Sequence, residues 1–390
     1  MAKLKEVRLG VIGCGSMANH HMGYFKNVAR LKFTAACDID PQRVGDAVAK
    51  YGVEGFSDGN KLIRSGLVDA VLIATPHYFH PTFAIEAMSS GLHVLSEKPV
   101  AVTAKDAARM NAAHKKYPNT VFAVMFQMRT VPKYKKAKQL LDAGEIGPIQ
   151  RVTWIITPWF RPQAYYDSGT WRATWAGEGG GVLLNQCPHN LDILTWLTGT
   201  PNLVHAYVKL GKYHHIEVED EVNAYFEYAS GATGNFITST GEAPGIDRLE
   251  LAGDLGRMVL VEGSNKIEIF KNRVATSVFN KTSQEMFARP ETDKITIEVT
   301  GQAGDHQEVT TRFIGAIIDG TPLIARGEEG LSGLELGNAM MMSGLTGKPV
   351  KIPTPRDQYD KLIKDMAAKS TFKKAAVKKT KADMSASFHK

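Results

Sequence analysis

Cysteine is scarce in this chain, and the few present do not pair. Cys14, Cys37 and Cys187 are three residues, widely spaced and without a CxxC repeat. That excludes a disulfide framework and a thiolate metal cage, and it fits a reducing compartment. Each reads as a small buried hydrophobe. No apolar run approaches the roughly 18 residues that a bilayer-spanning helix needs. The first strand-like segment, 7–12, begins too early to leave room for the apolar core of a signal peptide. The expectation is a cytoplasmic protein with no membrane partner.

A charge bias is absent as well, once the end of the chain is set aside. The formal net charge is +7, yet residues 361–390 hold nine lysines against two aspartates, so residues 1–360 balance to zero. The broad basic surface of a nucleic-acid binder is missing. Residues 354–390 read as a basic, partly disordered tail with a helical start. Nor do the histidines build a metal site. His77 and His80 stand three apart with no carboxylate or thiolate beside them, and both read as loop residues flanking a cofactor.

What is there is apolar content and alternation. With 43% apolar residues in 390, two domains with sizeable cores are expected. The first, over 1–129, alternates strand and helix, which calls for right-handed crossovers and a doubly wound parallel sheet. VRLGVIGCGSMA places Gly13, Gly15 and Ala18 between a buried strand and a helix. Gly13 allows the tight turn, Gly15 lets backbone amides approach a pyrophosphate, and Ala18 lets the helix pack close. A second strand ends in Asp38, some 20 residues on, where a carboxylate meets the ribose hydroxyls of a dinucleotide. Asp38 favours NAD over NADP. Arg43 would either accommodate the extra phosphate of NADP or stack on the adenine.

The strand 70–73 runs into Thr75, Pro76 and His77, and the strand in LHVLSEKP ends in Glu97, Lys98 and Pro99. Both ends belong to the edge that carries the glycine loop, because ligands of open parallel sheets sit beyond the carboxyl ends of the strands. Lys98 is thereby placed to meet a ligand.

The second domain, 130–353, reads as α+β with a large, mostly antiparallel open sheet, its hairpins turning at Ser230-Gly231 and Gly253–Gly256. Between its first strands lies TPWFRPQAYYDSGTWRATWAGEGGG. There Tyr166, Trp171 and Trp175 offer flat faces to the C–H surface of a sugar ring, and Arg172 offers hydrogen bonds to its hydroxyls. Gly179–Gly181 suggest backbone packed close to a ligand. In GVLLNQCPHNLDILTWLTG, Asn185 lies near a helix start, Pro188 suits the first turn and Gly199 ends the helix. Asn185, His189 and Asp192 then fall at i, i+4 and i+7 on one face. Glu219–Glu221 read as a solvated acidic edge, and Met340–Met342 as core.

The series GCGSMA, CDID, ATPHYFHP and GLHVLSEKP, with NxCxHxxD in the second half, resembles the Gfo/Idh/MocA family of nicotinamide-dependent oxidoreductases over residues 7–353. The resemblance implies a sugar, glycoside or cyclitol substrate, an NAD cofactor with NADP as the alternative, and a homodimer or homotetramer joined through the open face of the second sheet. It puts Lys98 at the nicotinamide and the reacting hydroxyl, and His189 at the general base. The implied cofactor contacts are Gly13, Gly15, Ser16, Met17, Ala18, Asp38 and Arg43 on the nucleotide side. Thr75, Pro76, His77, His80, Glu97, Lys98 and Gln127 lie nearer the nicotinamide. On the substrate the resemblance implies Lys98, Tyr166, Trp171, Arg172, Asn185 and His189.

The family pattern at this place is DxGxHxxD, and the chain departs from it at its first aspartate. That aspartate is Asn185 here, so a negative charge is gone. His189 is then expected to be a less basic base, with Asn185 orienting a substrate hydroxyl. Two other classes use the same residues: a redox glycosidase that oxidises transiently and eliminates an aglycone, and a non-catalytic cofactor-binding sensor.

Overall fold

The computed structural model describes residues 4–261, 263–301, 305–370 and 372. Two sheets organise it. The first holds β1 (Val7–Ile12), β2 (Leu31–Cys37), β3 (Glu54–Phe56), β4 (Ala70–Ile73), β5 (His93–Ser96) and β6 (Phe122–Val124) in the order β3-β2-β1-β4-β5-β6. Every pairing is parallel. The central strands are apolar and covered on both faces, which is why AVLI of β4 is buried at all four positions. The order reverses between β1 and β4, and that switch point lies beside the glycine loop.

Five helices link these strands: α1 (Ser16–Tyr24), α2 (Pro41–Tyr51), α3 (Gly59–Ile63), α4 (His80–Ser89) and α5 (Ala104–Lys116). Their starts are set by side-chain caps. Asp40, Asp58 and Thr103 each accept from a backbone amide of the following first turn. The N-terminus of α1 is different, since Gly15 supplies no side-chain cap and leaves the first amides to another partner.

α6 (Pro132–Asp142) leads to the second sheet, built from β7 (Ile149–Ile156), β8 (Leu203–Leu210), β9 (Glu219–Glu227), β10 (Thr233–Ser239), β11 (Asp247–Gly253), β12 (Gly256–Val261), β13 (Lys266–Asn272), β14 (Thr292–Glu298) and β15 (Val350–Lys351). Its order is β14-β13-β12-β11-β7-β10-β9-β8-β15. The hairpins expected at Ser230-Gly231 and Gly253–Gly256 are the β9/β10 and β11/β12 pairs. One pairing is parallel: β7 lies beside β10, with Trp154 opposite Phe236. The carboxyl ends of β7 and β10 therefore share an edge, and the segment between β7 and β8 is anchored there. It holds the short helix α7 (Gln163–Asp167) and the helix α8 (Pro188–Thr198).

After α9 (Thr276–Thr282) the chain returns to the first sheet. α10 (His306–Asp319) buries Val309, Phe313, Ile314 and Ile318 in one core with Leu9, Leu95 and Met125. α11 (Gly330–Thr346) packs on α8 and β8, and Met340–Met342 are buried in it as expected. α12 (Arg356–Lys369) is the helical start expected at the chain end. Its Tyr359 and Ile363 are buried, Lys105 of α5 pairs with Asp357 and Asp360, and the Ser370 hydroxyl donates to Glu217 Oε1 at 2.6 Å. The start of the presumed tail is thus a helix clamped to both halves. Most of the lysine-rich stretch lies outside the described residues.

Candidate active site

At the switch point the backbone itself prepares an anion site. Gly13 has φ +94°, and a Cβ there would stand 2.6 Å from the Ala74 carbonyl oxygen, so only glycine is accommodated. Around Gly15 nothing lies within 4 Å of a built Cβ, which leaves open space before the uncapped amides of Ser16, Met17 and Ala18. Ala18 is fully buried against the sheet. Asp38, at the end of β2, accepts from the Cys14 amide at 2.7 Å and the Asp40 amide at 2.9 Å, so its carboxylate is fixed beside the loop. Arg43 stands 3.7 Å from Asp38 and 3.4 Å from Asp40. Two carboxylates already balance that guanidinium, which favours a plain ribose over a phosphorylated one. The Thr75 hydroxyl is buried with no partner, as a group awaiting a ligand would be. These residues fit a dinucleotide.

Two residues expected on the cofactor side also make bonds within the protein. His80 places Nδ1 2.8 Å from the Pro99 carbonyl and Nε2 2.8 Å from the Thr75 carbonyl, tying the ends of β4 and β5 together. Glu97 reaches α1. Its Oε1 meets His21 Nε2 at 2.6 Å, and His21 Nδ1 continues to the Tyr24 hydroxyl, which bonds Thr310 of α10. Burial alone would raise the Glu97 carboxyl, but the bond and charge of His21 outweigh it and hold it at about 2. With Glu97 anchored, Lys98 faces the other way. The Lys98–Pro99 bond is cis.

Lys98 Nζ donates to the Asn185 carbonyl at 2.9 Å, so the end of β5 touches the turn that precedes α8. Burial lowers the Lys98 pKa below its ordinary value, while Glu97 and Glu178 pull it back up. Asn185, His189 and Asp192 do not share one face. Asn185 lies outside the helix, which begins at Pro188, and its amide nitrogen donates to Glu178 Oε1. His189 turns to Gln127, whose amide nitrogen lies 3.1 Å from Nε2. Asp192 accepts a two-pronged bond from Arg129, at 2.9 and 2.7 Å. Asn185 is thus held by a carboxylate, and Gln127, expected at the cofactor, is hydrogen-bonded to the candidate base.

Burial, with the charge of Lys98 added, keeps His189 well below the usual histidine range. It is neutral at pH 7 and carries a free lone pair. His189 Nδ1 and Gln127 Oε1 are both buried without partners. Turning the Gln127 amide by half a turn sets its oxygen on Nε2–H and leaves Nδ1 as the open acceptor.

The aromatic segment is rearranged too. Tyr166 is buried, with its hydroxyl on Thr240 at 2.8 Å, and Trp175 is buried as well, with its carbonyl accepting from Tyr78 at 2.7 Å. It is Tyr165 that faces Asn185: its hydroxyl points at Asn185 Oδ1, 3.4 Å away, and receives Arg172 Nη1 at 2.8 Å. Trp171 lies edge-on to His77 at 5.7 Å between centroids, and His77 Nδ1 is 3.4 Å from the Glu178 carbonyl. Gly179 and Gly181 are packed close against protein on the side a Cβ would occupy. A Cβ on Gly179 would meet Val102 at 2.4 Å, and one on Gly181 the Glu219 carbonyl at 2.0 Å.

Two buried carboxylates hold this region in ways the sequence did not show. Glu178 also accepts from the Ala173 amide at 2.6 Å, which ties its loop to Asn185. Glu219, read as solvated, is buried and accepts from the Gly181 and Leu183 amides at 2.8 and 3.0 Å. Burial raises its pKa to about 7 against those bonds. The only hint of Glu178 in the sequence is a charge set inside a run of small residues.

Comparison with known proteins follows the same division of the chain. Residues 7–125 match the description "Oxidoreductase family, NAD-binding Rossmann fold", and residues 134–259 match "GFO/IDH/MocA C-terminal domain". An inositol 2-dehydrogenase of Burkholderia lata is 30% identical over 197 residues, half of this chain and 55% of that protein. A 1-carboxy-3-chloro-3,4-dihydroxycyclohexa-1,5-diene dehydrogenase of Comamonas testosteroni is 30% identical over 244 residues, 61% of this chain and 58% of that one. The chain thus spans little more than half the length of these curated relatives. Among solved structures, the WlbA dehydrogenase of Bordetella pertussis in complex with NADH and UDP-GlcNAcA is 27% identical with a TM-score of 0.74, covering 90% of this chain and 99% of that one. Among the described residues no helix is long and apolar enough to cross a membrane. Matched over residues 7–125 and 134–259, the chain belongs to the Gfo/Idh/MocA oxidoreductase family, and residues 7–125 are that family's NAD-binding domain.

Proposed function

We propose that this protein is an NAD-dependent dehydrogenase that oxidises a secondary alcohol on a sugar or cyclitol ring. The observation that carries the reading is the contact of Lys98, at the end of β5, with the Asn185 carbonyl, four residues before His189. A cation from the cofactor domain and a neutral imidazole from the other half thereby serve one cleft. The relatives named above act on an inositol and a dihydroxycyclohexadiene, and the solved neighbour holds a nucleotide sugar. All of these are polyhydroxylated rings.

The chemistry asks three things of the chain. The substrate hydroxyl must lose its proton, and His189, neutral at pH 7 with Gln127 fixing its tautomer, accepts it. The developing alkoxide must be stabilised, and the Lys98 ammonium donates to it. The ring must be held, and Tyr165, Trp171 and Arg172 supply flat and donor surfaces. The hydride acceptor is the nicotinamide of the cofactor, which the Gly13–Ala18 loop and Asp38 would hold.

Purified protein mixed with NAD and a panel of cyclitols, free sugars and glycosides is expected to produce reduced nicotinamide, read by its absorbance. An aglycone released without net reduction would install the redox glycosidase instead. NAD binding with no turnover on any ring would sink the dehydrogenase.

Glu178 gives this reading a pH signature. Its charge supports the Lys98 ammonium against burial. Glu178→Gln is expected to let Lys98 lose its proton at lower pH, so the alkaline limb of the turnover profile moves down. A profile whose alkaline limb stays in place, measured on folded protein, would remove Lys98 from that limb.

A further inference from the structure

Tyr165 carries two guanidiniums. Arg172 Cζ stands 4.6 Å from the centre of its ring and Arg161 Cζ 5.4 Å. Each arginine also rests on a tryptophan, Arg172 on Trp171 at 4.9 Å and Arg161 on Trp159 at 5.9 Å. Their hydrogen bonds go to neutral oxygens: Arg172 Nη1 to the Tyr165 hydroxyl at 2.8 Å, Arg161 Nη1 to the Phe160 carbonyl at 2.9 Å.

Among the described residues no carboxylate stands within ion-pair distance of either guanidinium. Other arginines of similar exposure are treated differently. Arg151 rests on Glu250 and Arg356 on Glu335, while the buried Arg129 holds both Asp192 and Glu329. Two like charges on one ring repel, and aromatic faces soften that repulsion without neutralising it. Each planar fork keeps donors to spare, and such forks match a carboxylate or a phosphate.

The pair stands beside the chemistry. The Tyr165 hydroxyl points at Asn185, whose carbonyl receives Lys98 Nζ. Arg172 is near enough for its charge to act on both Lys98 and His77. Lys98 and Arg172 thus lie within reach of each other's charge, Arg161 shares the Tyr165 ring with Arg172, and Glu178 is near enough to act on Lys98.

We propose that Arg161 and Arg172 form an anion-binding subsite that makes this enzyme selective for an acidic ring, one bearing a carboxylate or a phosphate ester near the hydroxyl that Lys98 meets. The subsite deepens the dehydrogenase reading and rests on it for the word substrate, but the binding it predicts does not depend on turnover.

The test uses the full chain with NAD present and follows binding by tryptophan fluorescence, since Trp159 and Trp171 adjoin both arginines. The probes are glucuronate, glucose 6-phosphate and glucose. At least one anionic probe is expected to bind tenfold or more tighter than glucose, with a preference that shrinks as salt rises. Whichever anion leads identifies the source of the charge. Arg172→Gln and Arg161→Gln should each bring the preference down to about twofold, while Arg172→Lys keeps part of it. Circular dichroism confirms that each variant is folded. Equal binding of all three sugars, or a preference untouched in both glutamine variants, overturns the subsite. Absent turnover with the anion preference intact would defeat only the dehydrogenase reading.

Discussion

Lys98→Ala is expected to lower turnover by roughly a hundredfold or more while NAD affinity stays nearly unchanged. The ammonium is the one cation that the strand end of the cofactor domain sends into the cleft. Removing a preorganised donor from a developing oxyanion costs on the order of 3 kcal/mol. NAD affinity should hold because Lys98 is one of many expected contacts, and the glycine loop and Asp38, which would hold the dinucleotide, are untouched. The fold should survive too, since the bond lost is a single donation to the Asn185 carbonyl. Lys98→Arg is not a rescue, because a planar fork cannot replace a compact point charge at the same place. Steady-state rates and a fluorescence titration with NAD separate the outcomes. Unchanged turnover would refute the alkoxide role. A collapse of NAD affinity in step with turnover would make Lys98 a cofactor ligand.

The cofactor half was legible because its signals are local. Strands covered on both faces read as continuous apolar runs, and Gly13 answers to a backbone angle that one residue type satisfies. The second half was less legible because its residues take their roles from distant partners. Tyr165 and Tyr166 are neighbours on a short helix, about 100° apart around its axis, and composition does not say which one faces the cleft. Asn185 was read onto α8, yet the turn before Pro188 sends its side chain to Glu178. Glu219 looked like a solvated acid in a run of three. Its partners, the amides of Gly181 and Leu183, lie almost forty residues upstream, where no spacing rule reaches. The parallel pairing of β7 with β10 is hidden for the same reason, since hairpin turns announce antiparallel neighbours alone.

The same distinction shows in how the base is held. His189 and Lys98 come from different halves, so their relation depends on whatever fixes α8 against the end of β6. Gln127 and Arg129 follow that strand in one short turn. The first bonds His189, and the second grips Asp192 one helical turn further along α8. The acid that follows the histidine in the family pattern is therefore gripped by Arg129, three residues from His189, and anchors α8 to the turn after β6.

Asp192→Ala is accordingly expected to act on stability before chemistry. Asp192 and Arg129 are both buried, and deleting one partner of such a pair costs about 3–5 kcal/mol because the other charge is left without its counter-ion. Glu329, 3.1 Å from Arg129, retains part of the compensation and points to the lower end of that range. For a domain of this size, about 3 kcal/mol lowers Tm by roughly 6–12 °C. The double variant Arg129→Met with Asp192→Leu should recover much of the loss, since apolar replacement of a whole buried pair is often close to neutral. Thermal unfolding of the two variants reads the difference. A single variant as stable as the parent would mean that α8 is held by its apolar packing on α11 alone. A double variant no better than the single would mean that the pair's geometry, and not the stranded charge, sets the position of His189.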